Sequence, residues 1–336
     1  MTYLDRHDLA ASAGLLQAWA LAHYGPSASA QGVYPMPGHA GISFGFDVQH
    51  GTQRDALVVR VPPPGVRRSG NTDVLRQVPL LRAARAGGVP VAAVRWFSDD
   101  ERWFGVPYLM VDRLPGGSLD CWSPIAVDAA EVRSVFSAAA AALAATHELG
   151  PAALPGWGSP RSLREEIEFW APVLAKGTNE AWKKQALALR DRLLEHLPPE
   201  PETALVHGDF YSNNWVSAGP ALLAVVDWEI AFFGPPLLDV AWLCMLYDPS
   251  GWRGARRDWM GWAPAADDIV AAYEAAAGRP VEHLGWYRGL AAWRMAAITA
   301  MNHRLHVEGR RVDPTWDLIA ESFEALVEAA ERGVRA

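Results

Sequence analysis

Polar residues crowd into one stretch, Val206-His207-Gly208-Asp209-Phe210-Tyr211-Ser212-Asn213-Asn214-Trp215, between two apolar runs. A loop carried by a scaffold is where chemistry usually sits. Asn214 and Asp227 flank a turn at Ser217-Ala218-Gly219-Pro220, so a hairpin there brings their side chains together. An amide oxygen beside a carboxylate suits Mg²⁺, which keeps some waters and completes its shell with phosphates. Asp209, at the start of the loop, is then placed to accept a hydroxyl proton. A carboxylate that orients a nucleophile and a metal that bridges phosphates are the parts phosphoryl transfer needs. Taken alone, His207-Gly208-Asp209 also suits a turn capped by its Asp, and His207 reads as a loop anchor rather than a base.

The elements that must hold these residues fall into two groups. Residues 1–112 read as a small α+β unit. Ile42, Phe44, Phe46 and Val48 alternate with Ser43, Gly45, Asp47 and Gln49 as in a half-buried strand, and Leu57–Val61 follows a turn at His50–Gln53, which makes a hairpin. Asn71–Ala86 is weakly helical, with Asn71 or Thr72 as N-cap, Pro79 bending the first turns and Gly87-Gly88 as the stop. Val91–Phe97 and Tyr108–Arg113 read as two further strands. Beyond Pro115-Gly116-Gly117, the expected linker, the chain is mostly helical. Asp128–Leu149 is one helix, and Leu163, Ile167, Trp170 and Leu174 form the buried stripe of another. Leu205–Asp227 interrupts this pattern as strand, loop, strand, turn, strand.

Composition narrows the choices. The chain has 336 residues, a prior of two domains at about 150 residues each. Its 50% hydrophobic and 20% charged content is that of a globular protein. Thirty Lys and Arg against 38 Asp and Glu give a formal charge of −8, which disfavours a nucleic-acid partner. No apolar run approaches the ~20 residues of a membrane span. The start lacks the basic and apolar regions of a secretory signal, so the cytoplasm is expected. Cys121 and Cys244 are far apart and suggest neither a disulfide framework nor a zinc site.

His207-Gly208-Asp209 with Asn214 five residues after the Asp, then Asp227 in Val226-Asp227-Trp228-Glu229, resembles the aminoglycoside phosphotransferase and choline kinase family. The resemblance implies an α+β, two-lobed, protein-kinase-like fold. Its small β-rich N-lobe (1–112) would bind nucleotide, and its larger, mostly α-helical C-lobe (113–336) would hold the catalytic and acceptor sites. It further implies Asp209 as the catalytic Asp, Asn214 and Asp227 as Mg²⁺ ligands, and His207 as a structural member of the loop. Asp239 matches a family position that braces the catalytic region, and it also suits an N-cap. Gly38-His39-Ala40-Gly41-Ile42-Ser43-Phe44 resembles the family's short glycine-rich nucleotide loop, and Leu109–Leu114 resembles its adenine hinge. Gly41, Ser43, Arg60, Asp112 and Leu114 are therefore the nucleotide-contact candidates.

The family commonly pairs a basic residue on the third strand with a helix Glu, and Arg60 and Gln77 align there. A guanidinium still recognises phosphate. Gln77 forms no ion pair, so a carboxylate partner for Arg60 is lost or supplied elsewhere. Glu229 reads equally as a metal neighbour or a solvated side chain.

Together these readings give transfer of the γ-phosphoryl of ATP or GTP, with Mg²⁺, to a hydroxyl of a small molecule. One rival is a nucleotide- or metabolite-binding pseudokinase, motivated by Gln77 and Pro79. A second, a metal-dependent phosphoesterase using His207 and Asp209, lacks the further His and Asp clusters of a two-metal site. From Ala241 onward the chain carries 13 acidic and 11 basic residues, a poor match to a polycationic aminoglycoside. Arg253, Arg256, Arg257 and Arg279 would repel such an acceptor. Tyr273-Glu274, Gly278-Arg279-Pro280 and Trp286-Tyr287-Arg288 resemble a branch related to kinase domains fused to acyl-CoA dehydrogenases, which implies hydroxylated acyl substrates. The tryptophans there, Trp242, Trp252, Trp259, Trp262, Trp286, Trp293 and Trp316, are mostly expected in the core.

Overall fold

The computed structural model describes residues 3–36 and 41–335. Gly38, His39 and Ala40 of the glycine-rich segment lie outside the described residues. The chain forms two compact units, Met1–Gly116 with Leu223–Ile230, and Gly117–Leu222 with Ala231–Ala336.

The first unit is built on an antiparallel sheet in the order β1-β2-β3-β5-β4, with β1 Ser29–Pro35, β2 Ile42–His50, β3 Gln53–Val61, β4 Val94–Ser98 and β5 Tyr108–Asp112. Phe44, Phe46 and Val48 are fully buried with Leu57, Val59 and Met110, as alternation along β2 predicts. The other face of β2 is covered as well. Asp47 is buried where Arg113 reaches it at 2.6 Å and Arg54 also pairs with it, and the Tyr34 ring occupies the space beside Gly45. A Cβ on Gly45 would meet that ring at 2.5 Å, so a larger residue there would have to displace the half-exposed Tyr34 side chain.

Helix α1, Leu9–Tyr24, buries Leu16, Trp19 and Ala20 in the same core, and Asp8 caps its start by accepting from Ala11 N. Neither α1 nor β1 stands out in the sequence, because apolar residues run round the helix and leave Leu9 and Leu21 exposed. Helix α2 covers Gln77–Ala86, with Pro79 in its first turn, where a missing N–H removes no helical bond. The bend expected from Pro79 is replaced by two short 3₁₀ turns, Gly70–Thr72 and Val74–Arg76, so the helix begins later than Asn71.

The second unit is mainly helical. It contains α3 (Ala129–His147), α4 (Leu163–Ala175), α5 (Glu180–Glu195), α6 (Leu237–Tyr247), α7 (Gly254–Trp259), α8 (Ala266–Ala277), α9 (Leu284–Val307), α10 (Thr315–Ala320) and α11 (Phe323–Arg335). Asp128, expected as the first residue of this helix, is its N-cap, and Leu163, Ile167 and Leu174 are buried along α4. Short strands frame the polar loop: β6 (Ala204–Val206) pairs antiparallel with β9 (Phe232–Gly234), and β7 (Trp215–Ala218) pairs with β8 (Ala221–Val225) around Gly219, whose φ is 53°. The boundary between units falls within β8. Helix α9 is buried on nearly every side, and Trp293 donates to Ala186 O at 2.7 Å. An α+β fold of this kind, strands first and helices after, is what the sequence predicts.

Candidate active site

In the second unit the polar loop leaves β6 and is tied down before its functional residue begins. Asp239, buried near the start of α6, accepts from His207 N at 2.7 Å and Gly208 N at 2.8 Å, and lies 3.4 Å from His147 Nε2. The N-cap position of α6 is Pro236, so Asp239 is not a cap. It acts across the fold as a brace. Gly208 then takes a φ of 85°, a left-handed conformation that glycine enters without strain and that turns the chain sharply into Asp209.

Both oxygens of the Asp209 carboxylate are held. Trp242 Nε1 donates to Oδ1 at 3.1 Å, and Asn214 Nδ2 donates to Oδ2 at 3.1 Å and to the Asp209 carbonyl at 2.8 Å. His207 Nδ1 accepts from Asp209 N at 3.2 Å, which makes this ring a buried anchor of the loop, as its position suggested. Asn213 and Ser212 serve a different purpose from Asn214. Asn213 donates to Asp120 at 2.7 Å and accepts from Cys121 N at 2.9 Å, while Ser212 donates to Leu119 O and receives the Tyr247 hydroxyl. Segment 117–123 is thereby latched to the loop, and Gly117 bridges Ser217 at its start. Burial raises the pKa of Asp120, but hydrogen bonds from Ser123, Asn213 and Trp122 N outweigh it and leave the carboxyl below its ordinary value.

Trp242 and Arg294 also reach this loop, and the sequence reading assigned neither to it. Arg294 is buried in α9, with Nη2 donating to Gly208 O at 2.5 Å. Its guanidinium lies 4.4 Å from the Trp170 ring centre and 4.3 Å from that of Trp242. The available signal was a single charge inside the apolar run Leu290-Ala-Ala-Trp-Arg-Met-Ala-Ala-Ile.

The first unit holds the other candidates. Arg60 on β3 lies opposite Ser43 of β2 and Leu109 of β5. Its Nη2 is 2.9 Å from Asp227 Oδ1 and 3.4 Å from Glu229 Oε2. The carboxylates that α2 lacks thus come from the 226–230 segment, and Glu229 is a partner of Arg60 rather than a solvated side chain. Gln77 is buried, and its Nε2 has no hydrogen-bond partner among the described residues. Asp227 has a φ of 66°, unusual for a non-glycine residue and a form of backbone strain found at functional positions. Val225 N donates to Pro90 O, and Trp228 Nε1 donates to Val225 O, which hold this segment in the unit. Gly41 accepts from Arg6 Nη2 at 2.6 Å, Asp112 pairs with Arg95 at 2.9 Å, and Leu114 O accepts from Gly116 N as β5 ends.

The donor chemistry fits a hard divalent cation. In the second unit Asn214 has its amide nitrogen engaged by Asp209, which leaves its oxygen for a ligand, and in the first unit Asp227 is a carboxylate paired with Arg60. No group of three or more His, Cys, Asp or Glu suited to a metal occurs among the described residues. No described helix is long and apolar enough to cross a membrane.

Residues 37–293 match the family model of the phosphotransferase enzyme family. The chain belongs to that family. Among curated proteins, mouse acyl-CoA dehydrogenase family member 10 is 24% identical over 291 residues, covering 82% of this chain and 27% of the relative. Mouse acyl-CoA dehydrogenase family member 11 is 26% identical over 84% of this chain and 38% of its own length. The chain therefore spans about a quarter to two fifths of these curated relatives. A candidate aminoglycoside phosphotransferase of Ralstonia eutropha shares the fold with a TM-score of 0.73 at 24% identity, covering 96% of this chain and 97% of the other. A thermostable mutant of aminoglycoside phosphotransferase APH(4)-Ia, solved with AMP-PNP and hygromycin B, aligns with a TM-score of 0.60 at 17% identity over 95% and 98% of the two chains. The fold of this family member is the kinase-like phosphotransferase fold of those structures.

One expectation about the acceptor region needs correction. Arg256 of α7 is fully buried, with its guanidinium 4.8 Å from Trp122 and 4.9 Å from Trp252, so it is not a surface charge facing an acceptor. Arg253 pairs with Glu328, and Asp248 pairs with Arg288. Of the seven tryptophans expected mostly in the core, Trp242, Trp252, Trp286 and Trp293 are buried, while Trp259, Trp262 and Trp316 are half-buried.

Proposed function

We propose that this family member is a small-molecule O-phosphotransferase that moves the γ-phosphoryl of ATP or GTP to an acceptor hydroxyl. The observation that carries this reading is the Asp209 carboxylate, fixed on both oxygens by Trp242 and Asn214 at the head of a braced loop. A carboxylate held this way can orient a hydroxyl and take its proton without first reorganising. Arg60 supplies a guanidinium suited to phosphate, and its acidic neighbours Asp227 and Glu229 set its position. Asn214 and Asp227 would hold Mg²⁺, which when bound neutralises phosphate charge. Gly41, Ser43 and Asp112 in the 1–112 lobe, with Leu114 just beyond it, are the further nucleotide contacts, while 113–336 carries catalysis and the acceptor.

For the acceptor we favour a hydroxylated acyl compound over an aminoglycoside. The similarity to acyl-CoA dehydrogenase family members supports this, as does the near balance of charge after Ala241. The deciding assay is Mg²⁺-dependent phosphate transfer from ATP and from GTP to a panel of hydroxyacyl, macrolide and aminoglycoside acceptors. Higher kcat/KM for hydroxyacyl compounds is expected. Efficient aminoglycoside phosphorylation that weakens steeply with salt would replace that acceptor assignment, and nucleotide binding with no transfer to any hydroxyl would favour the pseudokinase.

A further inference from the structure

The guanidinium of Arg294 sits where an apolar side chain would fill the same space at lower cost, because a buried charge loses its hydration. No carboxylate among the described residues makes a salt bridge with it, and its Nε lacks a hydrogen-bond partner. Its environment is instead two indole faces and one carbonyl. Trp170 and Trp242 lie at 4.4 and 4.3 Å, and Gly208 O accepts at 2.5 Å. Each flanking indole is itself anchored by its N–H. Trp170 Nε1 donates to the buried Glu166 at 2.6 Å, and Trp242 Nε1 donates to Asp209 Oδ1 at 3.1 Å. Glu166 is held in turn by Arg161.

We infer that Arg294 is a positioning residue of the phosphotransfer site, clamped between Trp170 and Trp242 so that it fixes the Gly208 carbonyl and, through the Trp242 indole, the direction of the Asp209 carboxylate. This inference rests on the reading of Asp209 as the group that orients the hydroxyl. Two features of the residue suit the task. A planar guanidinium stacks on both indoles while donating edge-on to the carbonyl, which the tetrahedral ammonium of lysine cannot do. Burial lowers the pKa of the guanidinium on balance, and the negative charges of Glu166, Asp209 and Asp239 oppose that effect. Loss of the clamp leaves Asp239 and Asn214 holding the loop but frees the Trp242 indole to turn, so the carboxylate loses one of its two donors.

The test uses the full chain with Mg²⁺, nucleotide and the best acceptor of the panel, and compares Arg294→Lys, Arg294→Met, Trp242→Phe and Asp209→Asn. Trp242→Phe keeps an aromatic face for Arg294 and removes only the N–H to Asp209, so it remains informative if Arg294→Met fails to fold. Kcat is expected to fall about 10- to 100-fold in Trp242→Phe and in Arg294→Met, the scale for a displaced catalytic group. Nucleotide KM should stay within about twofold, and Arg294→Lys should recover part of the loss. Wild-type kcat in Trp242→Phe and Arg294→Lys, with Asp209→Asn inactive, would overturn the positioning role and leave the reading of Asp209 standing. Wild-type kcat in Asp209→Asn would overturn that reading itself. A fall in kcat matched by an equal loss of folded protein in all three Arg294 and Trp242 variants would make the clamp structural only.

Discussion

The proposed function concentrates the chemistry into one carboxylate, Asp209, whose two oxygens have different donors, so single substitutions separate its charge from its placement. Asp209→Asn keeps the shape and removes the proton acceptor. Turnover should fall about 10²- to 10⁴-fold with nucleotide affinity little changed, measured by steady-state kinetics beside nucleotide titration. Asp227→Ala removes a partner of Arg60 and, on the proposed reading, a charged metal ligand, whereas Asn214→Ala would remove a neutral one. The Asp227 variant should therefore lose more nucleotide affinity in Mg²⁺ than the Asn214 variant, and both losses should shrink when the titration is repeated in EDTA. Equal losses in both conditions would contradict metal ligation. Asp209, Asn214 and Asp227 stand out as candidates because their spacing falls in a short stretch of chain. Trp242 and Arg294 do not, since they reach the loop from 33 and 86 residues away and neither carries a local signature.

Elements were read best where the pattern was local. The β2–β3 hairpin, the α3 helix and the α4 stripe follow from alternation, an alanine-rich run, and helical spacing. By contrast α1 and β1 were missed, and β9 is too short for a pattern. The contact between α9 and α11 is another feature no single segment announces. Gly333 faces Gly289 so closely that a Cβ on Gly333 would strike the Gly285 carbonyl and Gly289 Cα. Backbone cannot move aside as a flexible side chain can. Gly333→Ala should cost about 1–3 kcal/mol in denaturant unfolding, while an alanine at Gly261, which meets open space, should cost far less. The latch between segment 117–123 and the loop adds a pH signature. Asp120 has a lowered folded pKa, so its contribution to stability is complete above the ordinary carboxylate value near 3.9 and is lost as pH falls through the folded value. Asp120→Asn should flatten that part of the acid-unfolding profile followed by circular dichroism; an unchanged profile would show that the latch carries no linked proton.

Over the whole molecule the two thiols report on folding. Cys121 and Cys244 are buried and free, and burial pushes each thiol up to about 12. Neither should react with iodoacetamide at pH 8 until the chain opens, so the alkylation rate should track unfolding across a urea series. Rapid labelling of native protein would show that the second unit opens locally. The division of the chain itself was only partly legible. The change from strands to helices after residue 112 is visible in composition, but nothing in Leu223–Ile230 says that it returns to the first unit. That return sets an order of events during synthesis. Arg60 leaves the ribosome with the first sheet, yet its partners Asp227 and Glu229 follow 167 and 169 residues later, a wait of roughly 10–30 s at ordinary elongation rates. A nascent chain stalled near residue 200 would hold every strand of that sheet and still lack both carboxylates.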